Sequence, residues 1–306
     1  MAAGEENVAL LNRSAKYIAV LAAILFLAAA RLPAGAPTSE LAQQPARIIS
    51  LIPAVSEMLF AIGAGPQVVA VSSFDEYPPE VLKLPRVGAL IDPDLERILS
   101  LRPDLVIVYE SQADLRKQLV RASIPMFIYK HAGLADVTTT IRELGNRVGQ
   151  PGGAADVIRR IDLKLDDVRK RVAGRPRPKT LLVFGRDALS LRGIYASGGF
   201  GFLQDMLTIA GGDNVFEEIK QQSIQATSEL ILARRPEVIL ELRSGDMPDD
   251  RRKNEIAVWG ALASVPAVRS GRIAIIADMR TVVPGPRVAE GTEVLARAIH
   301  PEAFAK

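Results

Sequence analysis

The sequence of 306 residues contains no cysteine and only two histidines, His131 and His300. The lack of cysteine excludes disulfide bonds, thiolate metal ligands, thiol nucleophiles and a lipid-modified cysteine anchor. The two histidines lie far apart in the chain, and a zinc or manganese site needs three or four ligands. We therefore predict no metal centre built from this chain's own side chains.

Excess charge of one sign and aromatic residues are also scarce. The chain has 38 basic and 35 acidic residues, a net charge of +3, without a long basic stripe of the kind that follows phosphates. Nucleic acid is therefore not an expected partner. Only 5% of the residues are aromatic, and the single tryptophan, Trp259, lies in an apolar helical pattern that indicates core packing.

Sequence motifs of common enzyme classes are missing as well. The chain has no P-loop, no HExxH and no nucleophile elbow, and its glycine pairs do not form a dinucleotide-binding fingerprint. Its carboxylates show no distinctive pairing for acid–base chemistry. We predict a protein that is not an enzyme and that has no resident cofactor.

The N-terminal region has the pattern of an export signal. Arg13 and Lys16 precede an apolar run over residues 17–30, which ends in the small residues Ala28-Ala29-Ala30. The run is shorter than the roughly 20 apolar residues that span a membrane. We predict export to the periplasm or cell exterior, with residues 1–44 as signal and lead. The alternative is an uncleaved segment that anchors the protein to the membrane.

From Arg47 onward, short apolar runs typical of buried strands alternate with helical patterns. This alternation indicates parallel sheets covered by helices on both faces. It is interrupted once, by a pattern for one long helix over Ala154–Val172 with a single apolar stripe. We predict an α/β fold with an N-terminal lobe over 45–150, a linking helix within 151–175 and a C-terminal lobe over 176–306.

The two halves of the chain are rough copies of each other. In the first half, a predicted helix that carries Glu96 runs through Arg102-Pro103 into an apolar strand. In the second half, a predicted helix that carries Glu229 runs through Arg235-Pro236 into another. The duplication predicts two lobes of similar construction.

Several motifs, taken in order, resemble the cobalamin- and siderophore-type periplasmic binding proteins of ABC importers. No single motif is decisive, but together they cover almost everything from Arg47 to Lys306, around the central long helix. The motifs are Arg47–Glu57, Val71–Glu80, Asp94–Ile98, Arg102–Val106, Ala210–Phe216 and Pro284–Arg287.

The resemblance implies two similar parallel-sheet lobes joined by a single long α-helix, with the ligand in a cleft between the lobes. It implies small lobe motions, because the linking helix is stiff. The expected function is to bind cobalamin or a related corrinoid outside the cytoplasm and to deliver it to the permease dimer of an ABC importer. The protein is expected to act as a monomer with one small-molecule ligand.

The resemblance also places Glu96 and Glu229 at the exposed tips of the two lobes. There, each carboxylate would pair with arginines of the permease, which fixes the orientation of docking. A purely structural alternative is that each glutamate favours the positive N-terminal end of its short helix.

Ligand contacts are expected at the cleft. Phe74 and Tyr109 stand where the resemblance predicts aromatic cleft residues, with packing in the core or at the rim as the alternative. Tyr195 precedes a glycine-rich loop near the expected cleft mouth. Asp278 and Arg280 follow the last predicted strand, where a cleft loop is expected.

Arg287 begins the last predicted helix, which is a poor place for a cation because of the helix dipole. It would either reach a carboxylate or phosphate of the ligand or pair with an internal acid. His131 follows a strand and could line the cleft, whereas His300 is expected at a helix end.

Other functions remain open from the sequence. Leu90 and Ile224 stand where some cobalamin binders carry tryptophan, so a ferric siderophore or haem is the alternative ligand. A haem iron could be ligated by His131, Tyr109 or Tyr195. A two-lobed enzyme of the chelatase kind and a membrane-anchored sensor subunit are the remaining alternatives.

Overall fold

The structure is a computed structural model that describes residues 44–130 and 132–305. The predicted signal segment and His131 lie outside the described residues. From Pro45 onward the described residues form one compact unit. Within these residues, every helix is too short or too polar to cross a membrane.

The N-terminal lobe is built on a four-stranded sheet in which all pairings are parallel, with strand order β2-β1-β3-β4. The apolar runs form these strands because both faces of the sheet are covered by helices. Its strands are β1 (Ile48–Ser50), β2 (Val68–Val71), β3 (Leu105–Tyr109) and β4 (Met126–Tyr129). Its helices are α1 (Pro53–Ala61), α2 (Leu95–Ser100), α3 (Ala113–Arg121) and α4 (Leu134–Arg147).

A single long helix, α5 (Pro151–Val172), follows the N-terminal lobe. Its 22 residues rise about 33 Å. It begins at Pro151 rather than at the predicted Ala154, because proline is favoured in the first turn of a helix. The predicted apolar stripe is buried against the core, and the opposite side carries charged residues. Helices α1 and α4 of the first lobe pack against it.

The C-terminal lobe has a six-stranded sheet of order β10-β9-β5-β6-β8, with β7 paired to β5. The strands are β5 (Lys179–Gly185), β6 (Ile194–Ser197), β7 (Asp213–Asn214), β8 (Ser223–Ala226), β9 (Val238–Arg243) and β10 (Ile273–Ala277). The helices are α6 (Phe202–Ile209), α7 (Ser228–Arg234), α8 (Asp249–Ala257), α9 (Pro266–Arg269) and α10 (Val288–Ile299), the last of which also packs on α5. Short 3-10 helices cover Gly65–Gln67, Pro79–Lys83, Val258–Leu262, Met279–Thr281 and Pro301–Ala303.

The second sheet is mixed, which adds to the parallel sheet expected for this lobe. Strand β6 runs antiparallel to both β5 and β8, whereas β5, β9 and β10 are parallel. Strands β6 and β8 were not predicted, because each has only four residues and lies next to glycine-rich or polar segments that resemble loops.

The repeat seen in the sequence is also a repeat of backbone structure. Arg102 follows α2 with φ +46° and Arg235 follows α7 with φ +53°, and a proline comes next in both lobes. Asp104 then accepts hydrogen bonds from the amide N–H groups of residues 46 and 47, which lead into β1. Glu237 accepts one from the N–H of residue 179, the first of β5. The two lobes therefore share a common local design.

Candidate functional site

On the N-terminal lobe, aromatic side chains lie at the carboxyl edge of the sheet. Phe74 follows β2 and is 69% exposed, with its amide N–H donating to Ser72 Oγ at 3.2 Å. Tyr109 is the last residue of β3 and is half-buried, in an edge-to-face contact with Tyr129 at 5.6 Å between ring centroids. The resulting surface offers apolar ring area to a ligand.

A buried carboxylate lies behind these rings. Asp75 Oδ2 accepts hydrogen bonds from the Ser72 N–H at 2.9 Å and from Ser72 Oγ at 2.5 Å. Burial raises the pKa of Asp75, and its hydrogen bonds to Ser56 and Ser72 oppose that shift. Burial, with a smaller contribution from the Asp75 charge, raises the pKa of Tyr109. Tyr109 is thus presented as a neutral phenol.

An exposed loop extends this apolar edge. Ile91 is 93% exposed, and Leu90 beside it is also exposed. The loop is tied to the end of β3 through Gln112, whose Nε2 donates to the Leu90 carbonyl at 3.0 Å and whose Oε1 accepts from the Tyr109 N–H at 2.9 Å. Leu90 therefore belongs to the same edge as Tyr109, whereas Ile224 is buried in the core of the C-terminal lobe.

On the C-terminal lobe, Tyr195 lies in β6 and is exposed. Its pairing with Gly185, the last residue of β5, places it at the carboxyl edge of that strand. The glycine-rich loop that follows packs closely on the chain around Glu217, because a Cβ atom on Gly199 would overlap the Glu217 carbonyl oxygen. Glycine at this position lets the loop hold β6 in place.

A mostly apolar pocket of about 380 Å³ opens beside the carboxyl ends of β5 and β9. This volume is within the range of small-molecule sites. The pocket was not predicted from the sequence, because its three aromatic residues come from two separate segments of chain. Its apolar lining includes Phe184, Phe200, Phe202, Leu242 and Val282.

The loop next to Tyr195 is anchored by a buried charge network. Arg186 donates to Glu241 Oε2 at 3.0 Å, and its Nη2 lies 2.9 Å from Glu255 Oε2, with all three side chains almost fully buried. Its Nη1 donates to the backbone carbonyls of Asp187 and Ser190. Arg186 therefore connects the interior of the lobe to the loop that forms this part of the cleft edge.

Asp278 and Arg280 form an ion pair just after β10. Arg280 Nε donates to Asp278 Oδ1 at 2.9 Å, and its Nη2 donates to Oδ2 at 2.5 Å. The Arg280 hydrogen bond holds the pKa of Asp278 below its usual range, and Asp278 in turn raises the pKa of Arg280. Both groups are charged at neutral pH and partly exposed, so they can also accept and donate hydrogen bonds to a ligand.

Arg287 pairs with an internal acid, which is one of its two predicted roles. Its Nη2 donates to Glu57 Oε1 at 2.6 Å and its Nε donates to Oε2 at 2.9 Å, so the pair joins α10 of one lobe to α1 of the other. The guanidinium lies 3.8 Å from the ring centroid of Tyr77. Burial raises the pKa of Glu57, and the hydrogen bonds and charge of Arg287 act in the opposite direction.

A second contact joins the two lobes near the cleft. The Leu134 N–H at the start of α4 donates to Asp205 Oδ2 at 2.8 Å, so an α6 carboxylate caps a helix of the other lobe. The carboxyl edge of the first sheet, where α4 begins, thereby faces the start of α6. The two edges that carry the aromatic side chains consequently border one interlobe cleft.

Glu96 and Glu229 occupy equivalent positions. Each is exposed in the first turn of a short helix, two residues after the N-cap. Asp94 caps α2 by accepting from the Arg97 N–H, and Thr227 caps α7 by accepting from the Leu230 N–H. A hydrogen bond from its own backbone N–H and one from the Thr227 side chain lower the pKa of Glu229. Both helices start at the carboxyl edge of their sheet, so both glutamates face the cleft side of the molecule.

The remaining predictions concern histidine, tryptophan and metal. His300 is the C-terminal cap of α10, as predicted, with its Nε2 lying 3.1 Å from the Gly211 carbonyl. Trp259 is completely buried, also as predicted. Among residues 44–130 and 132–305, no group of three or more acidic or histidine side chains could hold a metal ion.

The family model for periplasmic binding proteins matches residues 48–278. The chain belongs to the periplasmic binding protein family. Members of this family are solute-binding proteins of transporters, and the two α/β lobes described above are the architecture of such a protein.

Two relatives are similar over most of this binding protein. It is 28% identical over 267 residues to the ABC transporter substrate-binding lipoprotein YvrC of Bacillus subtilis, which covers 86% of this chain and 82% of the relative. It is 27% identical over 249 residues to the vitamin B12-binding protein of Yersinia pestis, and this alignment covers 81% of this chain and 83% of the relative.

Solved structures show the same fold. The haem-binding protein RhuT of a Roseiflexus species aligns with a TM-score of 0.71 and 26% identity, over 84% of this binding protein and 98% of RhuT. The vitamin B12-binding protein BtuF of Vibrio cholerae aligns with a TM-score of 0.71 and 22% identity, over 86% of this chain and 99% of BtuF.

The structure brings some predicted residues together and keeps others apart. Asp278, Arg280 and Arg287 interact electrostatically at one end of the second sheet. Tyr195 lies apart from them, because its strand β6 is the third strand from β10 in the sheet, and the two strands are about 14 Å apart. Tyr77 was not singled out by the sequence analysis, although it lies within the motif Val71–Glu80 that carries the resemblance.

Proposed function

We propose that this protein binds cobalamin or a related corrinoid outside the cytoplasm and delivers it to the permease of an ABC importer. The observation that carries the proposal is the pair of carboxyl edges that border the cleft. Phe74 and Tyr109 on one edge and Tyr195 on the other provide apolar faces, and Asp278 with Arg280 provides hydrogen-bonding groups. Such a combination suits a large planar ligand with polar amide side chains.

A ferric siderophore or haem is the second candidate ligand. The likeness to the haem-binding protein RhuT supports it. The likeness to the vitamin B12-binding protein of Yersinia pestis, over 81% of this chain, supports the corrinoid instead.

The ligand proposal is tested by titrating the purified protein with cyanocobalamin, haemin and ferrichrome. Bound ligand is measured by absorbance, and stabilisation is measured by thermal unfolding. We expect saturable binding of cyanocobalamin, weakened at least tenfold by Phe74→Ala and unchanged by Leu163→Ala on the exposed side of α5. Binding of haemin alone would transfer the proposal to the second candidate, and binding of none of the three would refute both.

Docking to the permease is assigned to Glu96 and Glu229. Support comes from their equivalent, exposed positions on the cleft side of the two lobes. We expect Glu96→Lys with Glu229→Lys to abolish uptake in a reconstituted importer while ligand affinity is retained. Glu143→Lys, an exposed position of α4, is the control for the change in charge. Unchanged uptake in the double variant would refute the docking role.

We further propose that the protein is exported by its N-terminal segment and acts as a monomer without catalytic activity. Support comes from the charged and apolar pattern of residues 1–30 and from the transport role of the relatives. The lobe limits 45–150 and 176–306 are part of this proposal. N-terminal sequencing of the protein from its native membrane and soluble fractions distinguishes a cleaved signal from the retained segment of an anchored sensor.

A further inference from the structure

The docking helices repeat a second feature besides their glutamates. Three residues after Glu96, Leu99 is 38% exposed, and three residues after Glu229, Leu232 is also 38% exposed. In both helices the residue just before the leucine, Ile98 or Ile231, is buried. The two leucines are therefore partly exposed to solvent, whereas the isoleucine before each of them is buried in the core.

A single exposed leucine on a protein surface needs no explanation. An exposed leucine at the same position of both helices does need one, because neighbouring positions of the two helices carry different residues. Leu95 corresponds to Ser228, and Ser100 corresponds to Ala233. The pattern common to both helices is the exposed glutamate, the buried isoleucine and the exposed leucine. Core packing accounts for the isoleucine but not for the leucine.

Glutamate and leucine three positions apart lie on the same side of a helix. One partner surface can therefore contact both. An apolar neighbour that excludes water strengthens an ion pair at an interface, since the pair is then screened less. An exposed carboxylate beside an exposed leucine thus fits a partner that offers a guanidinium next to an apolar depression.

We propose that Leu99 with Glu96, and Leu232 with Glu229, form two copies of one docking face for the membrane subunits of the importer. Because the face occurs once in each lobe, the partner must present its own site twice, as two copies of one subunit do. This inference rests on the proposed transport function. It adds an apolar contact in each lobe to the carboxylate already assigned there.

The test uses the importer's membrane and ATPase subunits from the same organism, assembled in lipid nanodiscs, and measures the Kd of the full-length protein for that complex. We expect Leu99→Asn and Leu232→Asn each to raise the Kd about five- to tenfold, and the double variant to raise it by about the product. Leu163→Asn on α5, where the leucine is 64% exposed, is the matched control and should change the Kd less than twofold. Thermal unfolding and ligand titration verify that each variant is folded.

The absence of cysteine permits a second measurement. Leu99→Cys and Leu232→Cys variants carrying a benzophenone maleimide should both crosslink to the same membrane polypeptide, and Leu163→Cys should not. Different polypeptides at the two positions, or a Kd unchanged by both leucine substitutions, would overturn the inference. If Glu96→Lys with Glu229→Lys also leaves the Kd unchanged, the docking role of the glutamates is wrong as well. If only the leucine variants leave the Kd unchanged, the proposed apolar contact alone is wrong.

Discussion

Replacement of Arg186 is the sharpest test of how the C-terminal lobe supports its cleft edge. Arg186 makes ion pairs with Glu241 and Glu255, and all three side chains are almost fully removed from solvent. In Arg186→Met, Glu241 keeps Arg243, whose Nε donates at 2.7 Å, and Trp259. Among the residues that the structure describes, the Glu255 carboxylate then keeps only the Leu189 N–H, at 3.1 Å.

The expected loss is large because a buried carboxylate is left without its cation. Removing one partner of a buried ion pair costs about 3–5 kcal/mol of unfolding free energy. Arg186 also donates to the backbone carbonyls of Asp187 and Ser190, so the loss includes the anchoring of the cleft loop. Arg186→Lys keeps the charge without the planar set of donors, and we expect it to cost less, about 1–3 kcal/mol.

Equilibrium urea unfolding at pH 7 measures these differences. Adding Glu255→Gln to Arg186→Met removes the charge that is left unpaired, and the double variant should therefore be less destabilised than Arg186→Met. Arg159→Met, which breaks an exposed pair with Asp156, is the control and should cost less than about 1 kcal/mol.

Two results would refute this reasoning. The first is an Arg186→Met deficit no larger than that of Arg159→Met. The second is a large deficit that Glu255→Gln does not reduce, which would show that lost packing, rather than an unpaired carboxylate, causes the instability. If Arg186→Met does not fold, an Arg186→Lys deficit no larger than that of Arg159→Met would still refute the reasoning.

Three further predictions concern backbone conformation, the contact between lobes and pH. Arg235→Gly should raise the unfolding free energy by about 0.5–1 kcal/mol in urea, because its φ of +53° suits glycine, whereas Arg235→Ala should not. Asp205→Ala should cost about 0.5–2 kcal/mol and speed hydrogen exchange at the Leu134 amide, and an unchanged rate would contradict the cap. Arg280 lowers the pKa of Asp278, so the stabilisation is fully present above about pH 4 and decreases as the pH falls below it. The difference in unfolding free energy between the natural protein and Asp278→Asn should therefore be smaller at pH 3 than at pH 7 in urea.

The parts of the fold that follow from local pattern were predictable. Strands β1 to β3 were predicted because they are almost entirely buried, so each is a continuous apolar run. The edge strand β4 was predicted from its apolar run as well, although Ile128 is exposed. Helix α5 was predicted because its apolar stripe extends over many turns. Strands β6 and β8 were missed, because four residues with one exposed face carry too little periodicity to separate a strand from a loop.

The candidate site was predictable only in part. The positions of Phe74 and Tyr109 follow from their places at the ends of two strands, since carboxyl ends of parallel strands meet at one edge. The partner of Arg287 could not be chosen from the sequence, because Glu57 is 230 residues away and many other acids were available. Tyr77 was missed for the same reason, as its contact with Arg287 exists only across the lobes.

The sequence by itself determined the α/β class, the long α5, the internal repeat and the equivalent places of Glu96 and Glu229, because each depends on residues close together in the chain. The tertiary structure alone decided which edges face each other and which charges pair. It joined Glu57 to Arg287 and Leu134 to Asp205 across the lobes, and it gave Leu99 and Leu232 equal exposure. Those features depend on contacts between distant segments, and the packing of whole lobes sets them.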